Sequence, residues 1–563
     1  MLEEVNLAYK IVKGGFEEAR CIQACPAKVD VPRYIRAIRK GDFSEALKVI
    51  REKTPFASVC GYVCPRFCEA RCRRAEVDEP VAINALKRFV AEKQQIPMEA
   101  KTGKPSGQSV AIVGSGPAGL TAAYYLAKLC GHDVTVFEAQ PDLGGMMRYG
   151  IPEYRLPKQM LDIEIGLIKK SGVNIKTNTR IENIDSLFKQ GFNAIFIAVG
   201  AWRSNKLDTK GRDTTGVIDG LSFIREVNSG KIVSVKERVA VIGGGNVAID
   251  AARLARRLGA RSVSIIYRRS REEMPAMPDE IDQALDEGIN ILLLTAPSNI
   301  IKRDGELRVE SVRMRLGGID ESRRRRQEEI IGSEVAMNFD TLIVAIGESP
   351  EIPPDFGLII GRSGRVHVDP VTLATNRRGV FAGGDAISGP ASVIEAIAAG
   401  RKAAINIDKY LGGQGKIDEI FTHKEAKTEG AWEESILDIP RQRMPILDST
   451  KRYNNFSLVE LGLTEEMARA EAERCLRCDQ SISVEVDLTK CIKCYACQTI
   501  CSFIYQRACN PENGRIIVSE PSKQIHYSND CIGGCSLCTQ YCSTGAISLS
   551  DKNRSDEPAV SKA

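Results

Sequence analysis

Short apolar runs that end in glycine turns recur along the chain and predict its strands. Residues 109–114 read Ser-Val-Ala-Ile-Val-Gly, a short buried strand. Gly114-Ser115-Gly116-Pro117-Ala118-Gly119 follows, then an apolar helix from Leu120 to Leu129 and a second strand from Asp133 to Phe137 that ends at Glu138. The same order returns at Arg238-Val-Ala-Val-Ile-Gly243-Gly244-Gly245-Asn246, with a helix to about Leu258 and a strand from Ser262 to Tyr267. Thr341 to Gly347 reads as a further strand and glycine turn. Gly379-Val-Phe-Ala-Gly383-Gly384-Asp385 reads as a strand that delivers Asp385 to a helix start, ahead of a helix from Ser392 to Ile407. Residues 413–470 form a long connector with some helix, notably Glu465 to Glu473. No run of 18 or more apolar residues is present, so no membrane span is expected.

Strand, glycine turn, helix, strand and acid in that order make a dinucleotide site. The glycines permit a tight turn, close approach of a pyrophosphate and close packing of helix on strand. The helix N-terminus offers partial positive charge to the phosphates. Glu138 stands where a carboxylate accepts hydrogen bonds from a ribose. In the second copy Arg268 and Arg269 occupy that place. Arginine pairs with a 2′-phosphate and a carboxylate repels it, which favours NADP(H) over NAD(H). The blander alternative has one arginine stacked on adenine and the other facing water. Two such sites suggest FAD plus a nicotinamide. The second is inserted into the first: an FAD-binding domain of residues 106–236 and 346–412, and a NAD(P)H-binding domain of residues 237–345.

Cysteine changes the picture more than composition does. Sixteen of the 18 cysteines fall into groups. The first is Cys21, Cys25, Cys60, Cys64, Cys68 and Cys72; the second is Cys475 and Cys478. The third is Cys491, Cys494, Cys497 and Cys501 with Cys531, Cys535, Cys538 and Cys542. The opening Met-Leu-Glu-Glu-Val-Asn has no export signal, so disulfides are not expected and a cytoplasmic chain is. Structural zinc suits Cys-x2-Cys pairs, but Cys-x2-Cys-x2-Cys-x3-Cys is the spacing of two-cluster bacterial ferredoxins, in which fourth ligands are exchanged. That rule assigns Cys491, Cys494, Cys497 and Cys542 to one cluster, and Cys531, Cys535, Cys538 and Cys501 to the other. Cys130 reads as a packing residue and Cys509 as structural. At 563 residues several domains are expected, and a net charge of +5 gives no reason to invoke nucleic acid. The dense basic run Arg323–Arg326 reads as a solvated loop. None of the four histidines lies in a motif, so no catalytic acid or base is named.

Residues 15–412 resemble the small subunit of bacterial glutamate synthase, and the flavin domains of dihydropyrimidine dehydrogenase and of electron-bifurcating ferredoxin:NADP oxidoreductase. The marks are Cys60-Gly-Tyr-Val-Cys64-Pro, Gly144-Gly145-Met-Met-Arg-Tyr-Gly150-Ile-Pro-Glu-Tyr-Arg155-Leu-Pro, Gly243-Gly-Gly-Asn-Val-Ala-Ile-Asp250, Tyr267-Arg-Arg-Ser-Arg-Glu-Glu-Met-Pro275 and Gly383-Gly-Asp385. The resemblance implies FAD on the first site, with Gly145, Arg155, Gly384 and Asp385 contributing, a nicotinamide on the second, and [4Fe–4S] clusters in a helical N-terminal domain, residues 1–105. The family's Arg-Cys-Leu-x-x-Cys-like pair is missing before Cys21. It stands instead as Arg474-Cys475-Leu-Arg-Cys478, so residues 413–481 are expected to carry it back: one cluster on Cys21, Cys72, Cys475 and Cys478, the other on Cys25, Cys64, Cys68 and a fourth ligand. Relatives use Gln or Glu for that ligand. Here the matching position holds Lys87, and Cys60 is the substitute. Residues 482–550 resemble a two-cluster ferredoxin, with an insert after Cys501 similar to electron-transfer subunits of tungsten or molybdenum aldehyde oxidoreductases. Residues 551–563 read as a disordered tail.

The expected fold is multidomain: a helical iron–sulfur domain, two α/β Rossmann-like domains with one inserted in the other, and a C-terminal α+β ferredoxin-like domain. The expected function is an FAD-dependent NAD(P)H diaphorase subunit with four [4Fe–4S] clusters. It would pass single electrons to a ferredoxin or partner subunit in a hetero-oligomer of the aldehyde oxidoreductase, hydrogenase or electron-bifurcating type. A glutamate synthase-like electron donor and a non-catalytic relay scaffold are the rivals.

Overall fold

The computed structural model describes residues 8–14, 18–93, 103–319, 325–361, 363–421, 434–519, 524–528, 530–532 and 535–549. Its centre is two five-stranded parallel sheets. The first runs in the order Val380–Ala382, Ala194–Ile197, Ser109–Val113, Asp133–Phe137, Asn174–Lys176. All four residues Ala194–Ile197 are buried, as a parallel strand covered on both faces requires. Helix Pro117–Lys128 follows the first glycine turn, with proline in its first turn where no N–H is missed. Helix Val393–Tyr410 lies across it, opened by a Ser392/Glu395 capping box. A Cβ on Gly400 would stand 2.3 Å from the Ala118 carbonyl oxygen, so only glycine allows this crossing.

The second sheet runs Asn290–Leu292, Ser262–Ile266, Arg238–Ile242, Thr341–Val344, Val217–Asp219. The inserted unit therefore begins before residue 237. Val217–Asp219 pairs in parallel with Thr341–Val344 and completes this sheet, and a short antiparallel pair, Arg203–Ser204 with Glu348–Ser349, carries the chain in and out. The insertion also carries a four-stranded antiparallel sheet of Thr295–Arg303, Glu306–Ile319, Arg325–Glu329 and Val335–Phe339. Arg325 and Arg326 are thus exposed strand residues rather than loop; Arg323 and Arg324 lie outside the described residues.

The N-terminal region is helical from Arg20–Ala24 to Ile83–Lys93. One strand precedes it: Ala8–Gly14 pairs antiparallel with Ser481–Asp487, which also pairs with Ile547–Leu549. Ala8–Gly14 thereby joins the C-terminal module's sheet and is not part of a purely helical domain. The connector crosses the second nucleotide unit, and Arg452 reaches Glu287 there. It ends in helix Glu465–Glu473. No helix among the described residues is long and apolar enough to cross a membrane. The tail, residues 551–563, lies outside the described residues.

Candidate functional site

The first glycine turn opens into a cleft of about 1350 Å³, solvent mouth included. Gly114, Gly116, Pro117, Ala118, Glu138, Gly145, Gly384 and Asp385 all line it. A Cβ on Gly119 would meet the Gly114 carbonyl oxygen at 2.0 Å, so that residue holds helix against strand. A Cβ on Gly116 would meet nothing within 4 Å: the space above the turn is open, and the helix N-terminus faces it. Glu138 braces the turn. One of its oxygens accepts from the Ser115 N–H at 2.9 Å and from the Ser115 hydroxyl at 2.5 Å, and the other accepts from the Gln140 N–H at 2.8 Å. Asp385 opens a short helix, with the Ala391 N–H 3.2 Å from Oδ1. Burial, with Glu348 and Glu395 adding, pushes its carboxyl up to about 7. An open turn, a helix N-terminus and a long cleft fit an FAD, its pyrophosphate over Gly116. Sequence patterns missed Arg180 and Trp202, in loops, and Phe356, in the short helix Pro354–Phe356, which line the same cleft and belong to no motif.

Arg155 is directed elsewhere. Its guanidinium lies 2.5 Å from Asp250 Oδ2 and also pairs with Glu280, while the Tyr154 hydroxyl donates to Asp250 Oδ1 at 3.0 Å. Asp250 is 2 % exposed, and a buried carboxylate needs a cation. Arg155 therefore joins the flavin domain to the second glycine-turn helix, Asn246–Arg257, and does not line the cleft. At the second turn Gly243 has φ +144° and Gly245 caps that helix. Asn246 Oδ1 accepts the Met277 N–H at 3.2 Å. Arg268 is exposed. Arg269 is buried, with its Nε donating to the Arg325 carbonyl at 3.1 Å.

Cysteines from both ends of the chain meet. Cys21, Cys72, Cys475 and Cys478 line one cavity. Burial raises the Cys21 thiol far above its ordinary value, and Cys478, Cys475 and Cys72 raise it further. Burial likewise pushes Cys475 up to about 12. Four cysteines lining one cavity could hold a metal centre such as a [4Fe–4S] cluster. The returning segment is anchored independently. Arg474, fully buried, donates to Asp78, Glu471 and the Pro80 and Glu79 carbonyls, and Arg36 binds Asp479 at 2.7 Å. Cys25, Cys60, Cys64 and Cys68 form a second group, with Lys87 buried against it. Burial alone would lower the Lys87 ammonium, but the four sulfurs hold it above its usual range. Cys60 is fully buried, with Cys64 and Cys25 beside it.

In the C-terminal module Cys497 has Cys538, Cys542 and Cys494 about it, and Cys501 has Cys535. The Arg515 N–H donates to Cys501 Sγ at 3.2 Å, and the Tyr527 hydroxyl lies 3.3 Å from Cys538 Sγ. Cys491, Cys531 and Cys542 are partly exposed; Cys494 and Cys509 are exposed.

Residues 108–400 match the model of the pyridine nucleotide-disulphide oxidoreductase family, and residues 15–98 match dihydropyrimidine dehydrogenase domain II, 4Fe-4S cluster. The chain belongs to the pyridine nucleotide-disulphide oxidoreductase family. It is 42 % identical over 502 residues to the NADP(+)-dependent formate dehydrogenase subunit beta of Moorella thermoacetica, covering 82 % of this chain and 71 % of that one. It is 39 % identical over 510 residues to the NADPH-Fe(3+) oxidoreductase subunit beta of Geobacter sulfurreducens, covering 82 % and 75 %. It is 34 % identical over 403 residues to the NAD-dependent dihydropyrimidine dehydrogenase subunit PreT of Escherichia coli, covering 70 % and 92 %. This family member is a flavin-dependent oxidoreductase with a 4Fe-4S domain. No cysteine lines its flavin cleft among the described residues, so the dithiol exchange of the family's name has no counterpart there.

Proposed function

We propose that the chain is the NADPH-oxidising diaphorase subunit of a larger cytoplasmic oxidoreductase, with four [4Fe–4S] clusters, and that it exchanges electrons with a ferredoxin or partner subunit. The inserted unit, with Gly243, Gly245, Asn246 and Arg268, takes the nicotinamide dinucleotide. Arg268, exposed just past strand Ser262–Ile266, carries the preference for a 2′-phosphate, while Arg269 is buried. FAD supplies the exchange between hydride and single electrons, and the clusters carry single electrons.

What this chain contributes is an order in space. Helix Lys158–Lys170 of the flavin domain holds helix Ala57–Val63: Glu164 accepts from the Ser58 and Val59 N–H groups at 2.6 and 3.0 Å, beside Cys60. That puts the Cys25, Cys60, Cys64 and Cys68 group against the flavin domain. The group of Cys21, Cys72, Cys475 and Cys478 comes next, and the ferredoxin-like module is fastened to it. Arg20 and Arg73 reach Asp530, Arg515 binds Glu76 at 2.6 Å, and Val77 and Leu476 share the module's apolar core. The observation that carries the reading is this single cavity of four cysteines from residues 21, 72, 475 and 478, standing between the flavin domain and the ferredoxin-like module.

The account predicts NADPH-driven reduction of a one-electron viologen dye by the purified chain. An FAD-loaded, iron-replete chain that reduces no such dye with either coenzyme would refute it and favour a relay scaffold. The relatives named as formate dehydrogenase and Fe(3+) oxidoreductase beta subunits support a place in a hetero-oligomer whose other subunit carries the terminal substrate.

A further inference from the structure

Behind the flavin domain, at the sheet edge where the parallel strands begin, three metal-binding side chains converge. Cys130 Sγ, one ring nitrogen of His132 and one carboxylate oxygen of Asp408 all lie within 4.8 Å of one another. They come from both halves of the split domain. Cys130 and His132 follow helix Pro117–Lys128, and Asp408 lies in the last turn of helix Val393–Tyr410. Gly131 between them has φ +71°, and a Cβ there would stand 1.9 Å from the Lys104 carbonyl oxygen. That left-handed turn brings Cys130 and His132 to one point.

The surroundings orient the ligands. His132 Nε2 lies 2.9 Å from Asp408 Oδ1, and its Nδ1 lies 2.7 Å from the Ser106 hydroxyl. Asp408 Oδ2 accepts the Gly415 N–H at 2.7 Å. A ring nitrogen held by a hydroxyl while the other points at the donor set is the usual outer support of a metal-binding histidine. Charge favours a cation as well. Two helices end here, each adding partial negative charge beside a carboxylate. His132 and Asp408 are buried and Cys130 is partly exposed, which leaves a fourth position open on the cysteine side.

We propose that Cys130 Sγ, His132 Nε2 and Asp408 Oδ1 bind one zinc ion that staples the two segments of the flavin domain. One thiolate, one imidazole and one carboxylate suit zinc, and balance its charge. Bond lengths of about 2.0–2.3 Å set such ligand atoms about 3.5 Å apart, so the His132 Nε2–Asp408 Oδ1 pair, at 2.9 Å, opens by roughly 0.6 Å while Cys130 Sγ, within 4.8 Å, closes to the same separation.

The test uses the full chain with FAD and iron at full occupancy, equilibrated with zinc and desalted, with zinc, iron and FAD measured together. One zinc per FAD is expected, with zinc X-ray absorption showing one sulfur near 2.3 Å and the rest nitrogen or oxygen at about 2.0–2.1 Å. Cys130→Ser and Asp408→Asn should each remove that zinc and leave iron and FAD per chain unchanged. If Asp408→Asn does not fold, the part-exposed Cys130→Ser decides. No zinc uptake would overturn the proposal and leave His132–Asp408 as a plain buried hydrogen bond. Zinc retained in both variants, or an all-sulfur zinc shell from metal that has displaced iron in the cysteine clusters, would overturn it equally.

Discussion

Replacing Cys475 and Cys478 with Ala removes two of the four sulfurs in the cavity between the flavin domain and the ferredoxin-like module. The consequence should be local. Arg474 keeps the segment docked through Asp78, Glu471 and backbone carbonyls, and Arg74 Nη1 donates to the Arg474 carbonyl at 3.0 Å. Hydrogen bonds to charged partners contribute about 1.5–3 kcal/mol each, so this anchor outlasts the loss of a cluster. Four clusters hold about sixteen iron atoms per chain, and losing one leaves about twelve. Colorimetric iron set against FAD absorbance should therefore fall by about a quarter, with FAD per chain unchanged. Reduced-cluster EPR should lose one component, and the ferredoxin-like module should stay attached. An unchanged iron-to-FAD ratio would refute the assignment of these two cysteines. Loss of FAD together with most of the iron would refute the claim that the segment is anchored independently of its cluster.

Three further outcomes follow from single contacts. Gly116→Ala keeps an extended backbone, φ −69° and ψ −178°, with nothing within 4 Å of the new methyl, so the chain folds but the methyl stands where the pyrophosphate belongs; FAD affinity measured by fluorescence should fall at least about tenfold, ~1.4 kcal/mol. Burial would raise the Glu287 carboxyl, but Arg257 and Arg253 hold it at about 2, with Arg452 also bonded to it. Against an unfolded value of 4.5, that contribution, at most ~3 kcal/mol, is complete above about pH 4.5 and lost as pH falls towards 2. At pH 7 Glu287→Gln leaves buried guanidiniums uncompensated, costs about 3–5 kcal/mol, and should speed hydrogen exchange in residues 447–455; unchanged exchange would contradict it. Arg268→Ala should raise the KM for NADPH about tenfold or more and leave that for NADH within about twofold, since a charge-assisted bond to a 2′-phosphate contributes about 1.5–3 kcal/mol; equal effects on both coenzymes would contradict the assignment.

The sequence shows the local parts of this molecule better than the pairings between them. Both glycine turns, their flanking strands and helix Glu465–Glu473 are visible because each carries its own period and its own turn or cap residues. The start of the inserted unit is not. Val217–Asp219 is only three residues long, and its membership of the second sheet depends on pairing with Thr341–Val344, more than a hundred residues away. The same holds for Ala8–Gly14 on Ser481–Asp487. Arg155 sits in a motif whose spacing is readable, but its partners Asp250 and Glu280 come from another domain. Lys87 and Cys60 were visible as a departure from the family's ligand pattern, and the structure places both at the sulfurs in question. Cys130 reads as packing because His132 belongs to no motif and Asp408 lies nearly three hundred residues away.

The central claim, that electrons enter from a nicotinamide at the inserted unit and leave through cysteine-held clusters at both chain ends, is tested most directly by anaerobic reduction of the purified chain with NADPH and, separately, NADH. Visible absorbance and low-temperature EPR would be recorded together. The account predicts flavin bleaching followed by reduced-cluster signals, faster with NADPH than with NADH. A chain that holds FAD and full iron yet shows neither bleaching nor cluster signals with either coenzyme would contradict it.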